Sequence, residues 1–461
     1  MALRRKMLRK TNAEKNREIK RKLRSTAGFL VGNFCDDFLG MIEDPRSQQG
    51  RHWKSCLPLL KAVILGLASG CKGLRAVEKM TEEMFGSVRE LVGIPRTVAD
   101  TTMRDFLVKL DPEELSKLIY VAGYDAWRRK AFRRLEGFPF HAVASDGKYP
   151  TVRDVGDSKS NNYEKSKYLQ VHHDQDGHPD HGEIRTINSA LITAEGRPIV
   201  GSVPVPGNTN EQTTFKKAFG DLVRIYGRLF KLVMYDAGAA SEGNAKIVRK
   251  AGKHYFFQIA NERWVMHQTA ELLLRDKAPQ ALSTNDISEN ERVERELTMM
   301  SVGETRKNLT MWKSVRTIFQ IVTKHYKDNT LCSTETRYFV TSMESSELPA
   351  GKWLELIILR WGIETVHQIL DMEDVFEEDD HPWITKDARG ALAVGLLRRL
   401  VMTLMTLHKH VHLRSEENRH MPWPELIALV KRILQWGGTG AMDDLFAKPR
   451  PRRFQVPPAL A

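Results

Sequence analysis

Residues 229–259, LFKLVMYDAGAASEGNAKIVRKAGKHYFFQI, decide how this chain folds. Residues 229–235 read as a short apolar strand closed by Asp236, residues 239–251 as a helix, and residues 254–259 as a second strand. Working outward, residues 198–205 give a further strand and residues 211–226 a helix, while residues 141–145 and 183–194 also carry strand patterns. Strands followed by strand-helix-strand-helix-strand predict a mixed α/β sheet with crossover connections. In such a sheet Asp146 and Asp236, each ending an apolar run, stand at the ends of strands able to lie side by side.

The flanks read differently. Residues 29–135 are helical almost throughout, cut into short helices by Asp44-Pro45-Arg46 and by Gly70, Gly73, Gly93 and Pro95. Residues 57–66 form the core helix of this all-α region. Residues 99–110, with Thr101, Thr102 and Arg104, make one candidate for a helix that enters a DNA groove, although a plain structural bundle fits the same pattern. Residues 261–335 turn polar and β-tending, with residues 315–322 as the clearest strand, and read as an insertion. A long helix over residues 352–371 then carries Glu364, and a more apolar helix follows over residues 388–408. Trp423, Trp436-Gly437-Gly438 and residues 449–458 mark a short helical tail with a disordered end. The expected division is a basic tail (1–28), a helical DNA-binding region (29–136), an α/β core in two parts (137–260 and 336–412) split by a β-rich insertion (261–335), and a helical and basic C-terminal tail (413–461).

At 461 residues the chain is long enough for more than one domain, and 41% hydrophobic with 28% charged residues is ordinary for a folded globular protein. The charge is less ordinary: a formal net +13 with a pI near 9.4 invites a polyanionic partner such as DNA. Residues 1–24 hold eleven Lys and Arg against two Glu, and residues 448–453 hold four more basic groups, so the chain between them is neutral. The tails therefore supply salt-sensitive attraction, or simple solubility, and any nucleic-acid surface on the body depends on segregating Lys and Arg onto one face. The cysteines Cys35, Cys56, Cys71 and Cys332 form no Cys-x-x-Cys pair, which fits a reducing compartment and argues against a zinc ribbon. Lys and Arg interrupt the N-terminus, Lys61 interrupts residues 57–68, and Arg398-Arg399 interrupts residues 392–407. Neither a signal peptide nor a clean membrane span is expected, and the expected location is the cytoplasm, in association with the nucleoid.

Three carboxylates remain to be explained: Asp146 and Asp236 after strands, and Glu364 on a helix. Brought together, they can hold a pair of Mg²⁺ ions on a phosphodiester. Taken singly, an Asp after a strand is a common turn residue and a helical Glu is commonly solvated, so the residues alone leave both readings open. On the helix, Arg360, His367, Gln368 and Asp371 share a face with Glu364. An Arg one turn away could grip a DNA phosphate and keep the Glu ionised, or form an ordinary surface ion pair. Residues 172–181, HHDQDGHPDH, crowd metal-binding side chains into a Gly and Pro segment and read as a solvated loop. Residues 373–380 lack the pattern of an EF-hand and read as a solvated or DNA-excluding face. No P-loop or Gly-x-Gly-x-x-Gly occurs, so no nucleotide cofactor is expected.

Asp146-Gly147-Lys148, Asn208-Thr209-Asn210-Glu211, Tyr235-Asp236-Ala237 and Arg360-Trp361-Gly362-Ile363-Glu364, followed by the acidic residues 376–379, occur in this order. Together they resemble the DDE transposases of bacterial insertion sequences, and more narrowly the H-repeat-associated branch, over residues 29–412. The resemblance implies an RNase H-like α/β core interrupted by a β-rich insertion, with Asp146, Asp236 and Glu364 as catalytic residues and ligands of Mg²⁺ or Mn²⁺. It implies Arg360 and Lys148 on the DNA phosphate, cleavage at element ends, and transfer of the 3′-hydroxyl to target DNA by a homodimer bridging two ends. Related enzymes carry Tyr seven residues before the Glu and Lys seven after it, where this chain has Ile357 and Asp371. The branch's His-Trp pair is here Arg360-Trp361. Trp264 and Trp312 are candidates to stack on an unpaired base, or to pack in the core. The competing expectations are a catalytically inactive or repurposed DNA-binding relative, and a nuclease of the same fold that does not join ends.

Overall fold

The computed structural model describes residues 12–46, 53–152, 167–302, 312–413, 416–436 and 453–460. Residues 1–11 of the basic tail, Gly437, Gly438 and the basic residues 448–452 lie outside them. Over the described residues the chain divides into two compact units, one from Met1–Leu118, Leu370–Ile384 and Arg389–Phe454, the other from Ile119–Ile369, Thr385–Ala388 and Gln455–Ala461.

The first unit is helical. Its helix Leu57–Ala68 is apolar on every side, and residues 59–68 are all buried, including Lys61, whose charge is paired with Asp36 at 2.5 Å. Gly66 lets helix Leu74–Glu83 approach closely, since a Cβ there would overlap Val77. Helix Asp100–Leu107, the groove-entering candidate, buries Met103, Phe106 and Leu107 and leaves Thr101 and Arg104 exposed. Helix Ala388–Leu407 belongs to a stretch, Ala388–His412, apolar and long enough to cross a membrane, but 94% of its apolar window is buried inside the protein. The arginine pair that interrupts it is buried as well. Arg399 donates to both carboxylate oxygens of Glu378, at 2.6 and 3.2 Å, and Arg398 donates to the His381 carbonyl. The acidic run is therefore not simply a solvated face: Glu377 and Glu378 are buried, the former paired with Lys72 at 3.0 Å. A buried cation demands a buried anion, and this run supplies it.

The second unit is built on β1 (Ala142–Lys148), β2 (Thr151–Val152), β3 (Leu169–His173), β4 (Pro179–Ile184), β5 (Thr186–Leu191), β6 (Ile199–Pro204), β7 (Leu232–Tyr235), β8 (His254–Ile259), β9 (Ala281–Asp286), β10 (Glu291–Ser301), β11 (Thr317–Lys327) and β12 (Thr330–Thr341). The main sheet runs β6-β5-β1-β7-β8-β12-β11-β10-β9. β1, β5 and β6 form an antiparallel meander, and β7 and β8 lie parallel to β1 through the crossover helices Glu211–Tyr226 and Glu242–Lys250. This order of five strands, with helices, is the RNase H-like arrangement that was expected. β2, β4 and β3 form a small separate sheet between the first and second core strands. Helix Glu211–Tyr226 starts where Asn210 caps it, its side-chain oxygen accepting from Thr213 N at 3.0 Å. Its face bearing Phe215, Phe219, Leu222 and Tyr226 is buried in a core shared with Val143, Val233, Tyr255 and Phe257.

The β-rich stretch expected over residues 261–335 supplies β9 to β12, the last reaching Thr341, and these strands continue the core sheet: β12 pairs antiparallel with β8, from Tyr338 opposite Ile259 to Thr341 opposite Phe256. One expectation changes. The single helix expected over residues 352–371 is two, Ala350–Arg360 and Gly362–Asp371, parting at Trp361. At the break the Arg197 side chain crosses Gly362, where a Cβ would stand 2.9 Å from Arg197 Cδ.

Candidate active site

β1 and β7 run parallel with Ser145 opposite Tyr235, so the next residue of each chain segment, Asp146 and Asp236, emerges at the same edge of the sheet. Asp146 still belongs to β1, facing Asn188 on β5, whereas Asp236 has left β7 and caps a short 3-10 helix, Ala237–Ala239. Asp236 Oδ1 accepts from Gly238 N at 2.9 Å, and Asp146 Oδ1 from Gly147 N at 3.0 Å. Glu364 lies in the first turn of Gly362–Asp371, its carboxylate 3.8 Å from the Arg360 guanidinium. Arg360 is only 4% exposed; it also reaches Gln258 on β8 at 3.5 Å, and its Nε has no hydrogen-bond partner among the described residues. Lys148, the other residue expected at phosphate, is likewise buried. Trp264 and Trp312 pack at the margin of the core.

One acidic group was not singled out from the sequence. Glu211, the first residue of its helix, is buried with its carboxylate between the β1 and β7 ends: a Cβ on Gly147 would overlap Oε1, and a Cβ on Gly238 would lie 2.9 Å from Oε2. The signal was present in Asn208-Thr209-Asn210-Glu211, because an N-cap Asn fixes where the following Glu must sit. His367 was seen only as a neighbour of Glu364 on the helix. Its Nδ1 stands 3.7 Å from Asp146 Oδ2, while Nε2 lies 3.1 Å from Asn188 Nδ2, whose Oδ1 in turn accepts from Ser202 at 2.8 Å. An amide that donates to Nε2 leaves the proton on Nδ1, facing Asp146.

The electrostatics follow from crowding these acids under the surface. Burial, then Asp236, raises Asp146 to about 7 despite the opposing Arg360. Burial, then Asp236 and Asp146, raises Glu211 to about 8. Asp236 is raised by burial, against amide hydrogen bonds and Arg360. The Tyr235 hydroxyl, with no hydrogen-bond partner among the described residues, is raised well above its ordinary range by burial and by these carboxylates. Arg360, itself lowered by burial, is the cation that works against this charge. A buried all-oxygen set with so little counter-charge is completed by protons or by a hard divalent cation. Among the described residues, the carboxylates of Asp146, Asp236 and Glu364 do not all lie within 4.8 Å of one another.

A family model described as transposase DDE domain matches residues 157–401, more than half of the chain. The chain belongs to the transposase DDE domain family. The match takes in Glu211, Asp236, Arg360 and Glu364 but begins after Asp146 and Lys148, so Asp146 joins the site through its pairing beside β7. No curated protein matches this transposase. Among solved structures it is similar to a piggyBac transposase determined in a synaptic complex with hairpin DNA, at 8% identity and a TM-score of 0.44, over 92% of this chain and 82% of that one.

Proposed function

We propose that this transposase binds the ends of its mobile element as double-stranded DNA, cleaves them, and transfers the freed 3′-hydroxyl to target DNA, acting as a homodimer of the insertion-sequence, H-repeat-associated type. The observation that carries the reading is the placement of Asp146 and Asp236 at the matching ends of the adjacent parallel strands β1 and β7, with Glu364 tied to the same charge cluster through Arg360. Asp146, Asp236 and Glu364 are the proposed ligands of Mg²⁺ or Mn²⁺, with Glu211 behind them. Ions held there would supply Lewis-acid charge to the attacking and leaving oxygens of an in-line displacement. His367, held by Asn188, keeps its Nδ1 turned toward Asp146 at 3.7 Å, beyond direct hydrogen-bond reach. Arg360 offsets the carboxylate charge, and with Lys148 it is the proposed phosphate contact; since both are buried, the phosphate enters at the carboxylate-lined floor. Water is the first nucleophile at the scissile phosphodiester, and the released 3′-hydroxyl is the second.

The test is Mg²⁺-dependent nicking and joining of DNA carrying the element ends, with the wild type beside Asp146→Asn, Asp236→Asn and Glu364→Gln. Both activities are expected in the wild type and in none of the variants. Nicking that survives in all of them would overturn the site assignment. End binding without cleavage in the wild type would identify an inactive DNA-binding relative, and cleavage without joined products a nuclease.

A further inference from the structure

The small sheet β2-β4-β3 holds a second group of potential ligands that the transposition reading does not use. Residues 172–181, expected as a solvated loop, are the paired strands and turn of a β3–β4 hairpin in which His172 and His181 stand directly opposite each other. Their rings stack at 4.6 Å with an interplanar angle of 11°. Glu183, two residues beyond His181 and so on the same face of β4, brings Oε2 to 3.2 Å from His172 Nε2. One donor from each of His172, His181 and Glu183 lies within 4.8 Å of the others, and all of these side chains are half-buried. His172 Nε2 is shut off from solvent yet makes no aligned hydrogen bond among the described residues.

We propose that His172, His181 and Glu183 form a binding site for a divalent transition metal ion, Zn²⁺ by preference, that clips the β3–β4 hairpin. Donors at roughly 2.0–2.1 Å from a tetrahedral Zn²⁺ stand about 3.3 Å apart, close to the separation of His172 Nε2 and Glu183 Oε2. Two imidazoles and a carboxylate select Zn²⁺ and its neighbours over Mg²⁺, so this site is distinct in kind from the all-oxygen cluster around Asp146. The supporting groups are in place. Asp180 Oδ2 lies 2.8 Å from His181 Nδ1, which holds the proton on that nitrogen and leaves the lone pair on Nε2. Arg185 donates to Glu183 Oε2 at 3.2 and 3.0 Å and fixes the carboxylate. The neighbouring Asp174, Asp176 and His178 lack such support: they are exposed in the turn, where Asp174 Oδ1 accepts from the amides of Asp176 and His178. The hairpin ligands leave a fourth position to water.

The experiment titrates the full chain with Co²⁺ as a tetrahedral-site probe, and with Zn²⁺, in excess Mg²⁺. Wild type, His172→Ala, His181→Ala, Asp180→Asn and Asp236→Asn are compared. One equivalent is expected to bind the wild type and Asp236→Asn with the visible spectrum of tetrahedral Co²⁺. Affinity is expected to fall by ten-fold or more in either histidine variant, and about ten-fold in Asp180→Asn, which removes no ligand and would leave a plain His–Glu pair untouched. Zn²⁺ should raise the melting temperature of the wild type and not of His181→Ala. Unchanged Co²⁺ affinity in both histidine variants would overturn the proposal. So would a wild type that binds no more Zn²⁺ or Co²⁺ than His181→Ala, or a signal lost only in Asp236→Asn. DNA cleavage enters none of these readouts, so failure here is separate from failure of the proposed activity.

Discussion

Glu211→Gln isolates the cost of crowding acids at the ends of β1 and β7. Burial beside Asp236 and Asp146 lifts this carboxyl from the ordinary 4.5 to about 8. At about 1.4 kcal/mol per pH unit, that rise corresponds to roughly 5 kcal/mol of folding stability in the cation-free chain, an upper figure because the neighbouring acids titrate with it. The sign follows from which state holds the proton. Below pH 4.5 Glu211 is protonated in both states; as pH rises towards 8 the unfolded chain releases its proton while the folded chain keeps it, so stability falls across this interval and levels off above it. Gln cannot ionise, and the part of the slope due to this residue should vanish. We expect Glu211→Gln to match the wild type to within about 1 kcal/mol at pH 4.5 and to exceed it by roughly 3 to 5 kcal/mol at pH 9, measured by urea denaturation in EDTA. Saturating Mg²⁺ should flatten the wild-type slope, because a cation replaces the proton. A difference between variant and wild type that stays constant from pH 4.5 to 9 would refute the account of the cluster.

Three further outcomes follow from particular contacts. Glu378→Ala removes the carboxylate that Arg399, 1% exposed, contacts at 2.6 Å, and should cost about 3–5 kcal/mol in chemical denaturation, whereas replacing the pair with apolar residues should cost far less. Tyr226→Phe removes the hydroxyl that donates to the Tyr120 carbonyl at 2.9 Å inside the core, and should lower stability by about 1–3 kcal/mol without altering divalent-ion affinity. Gly147→Ala places a methyl group where Glu211 Oε1 now lies; by calorimetry it should weaken Mn²⁺ binding, and the double variant Gly147→Ala, Glu211→Ala should fold better than Gly147→Ala alone.

Local pattern carried much of the fold. Helix Glu211–Tyr226 and strand β8 begin and end where periodicity places them, because Asn210 caps the one and the apolar run His254–Ile259 bounds the other. The side-by-side emergence of Asp146 and Asp236 was legible for the same reason: two apolar runs, each followed by Asp, separated by crossover helices. What was not legible depends on long-range partners. Nothing near Tyr338 announces that β12 pairs with β8, so the joining of the β-rich insertion to the core sheet could not be read from residues 261–335. Arg197 crosses Gly362 at the helix break, and Arg399 pairs with the buried Glu378, both contacts between residues distant in sequence. His172 and His181 read as loop residues because the register that pairs them is a property of the folded hairpin. Glu211 lies within Asn208-Thr209-Asn210-Glu211, yet only the closeness of Gly147 and Gly238 gives it a place among the acids.

The most direct test of the account is the anomalous diffraction of Mn²⁺ in crystals of the full chain bound to DNA bearing an element end. We expect Mn²⁺ between Asp146 and Asp236, with Glu364 drawn from Arg360 onto the metal and the scissile phosphate beside it. Mn²⁺ that leaves Asp146 and Asp236 without a ligand role, or a Glu364 that stays paired with Arg360 while DNA is bound, would contradict it.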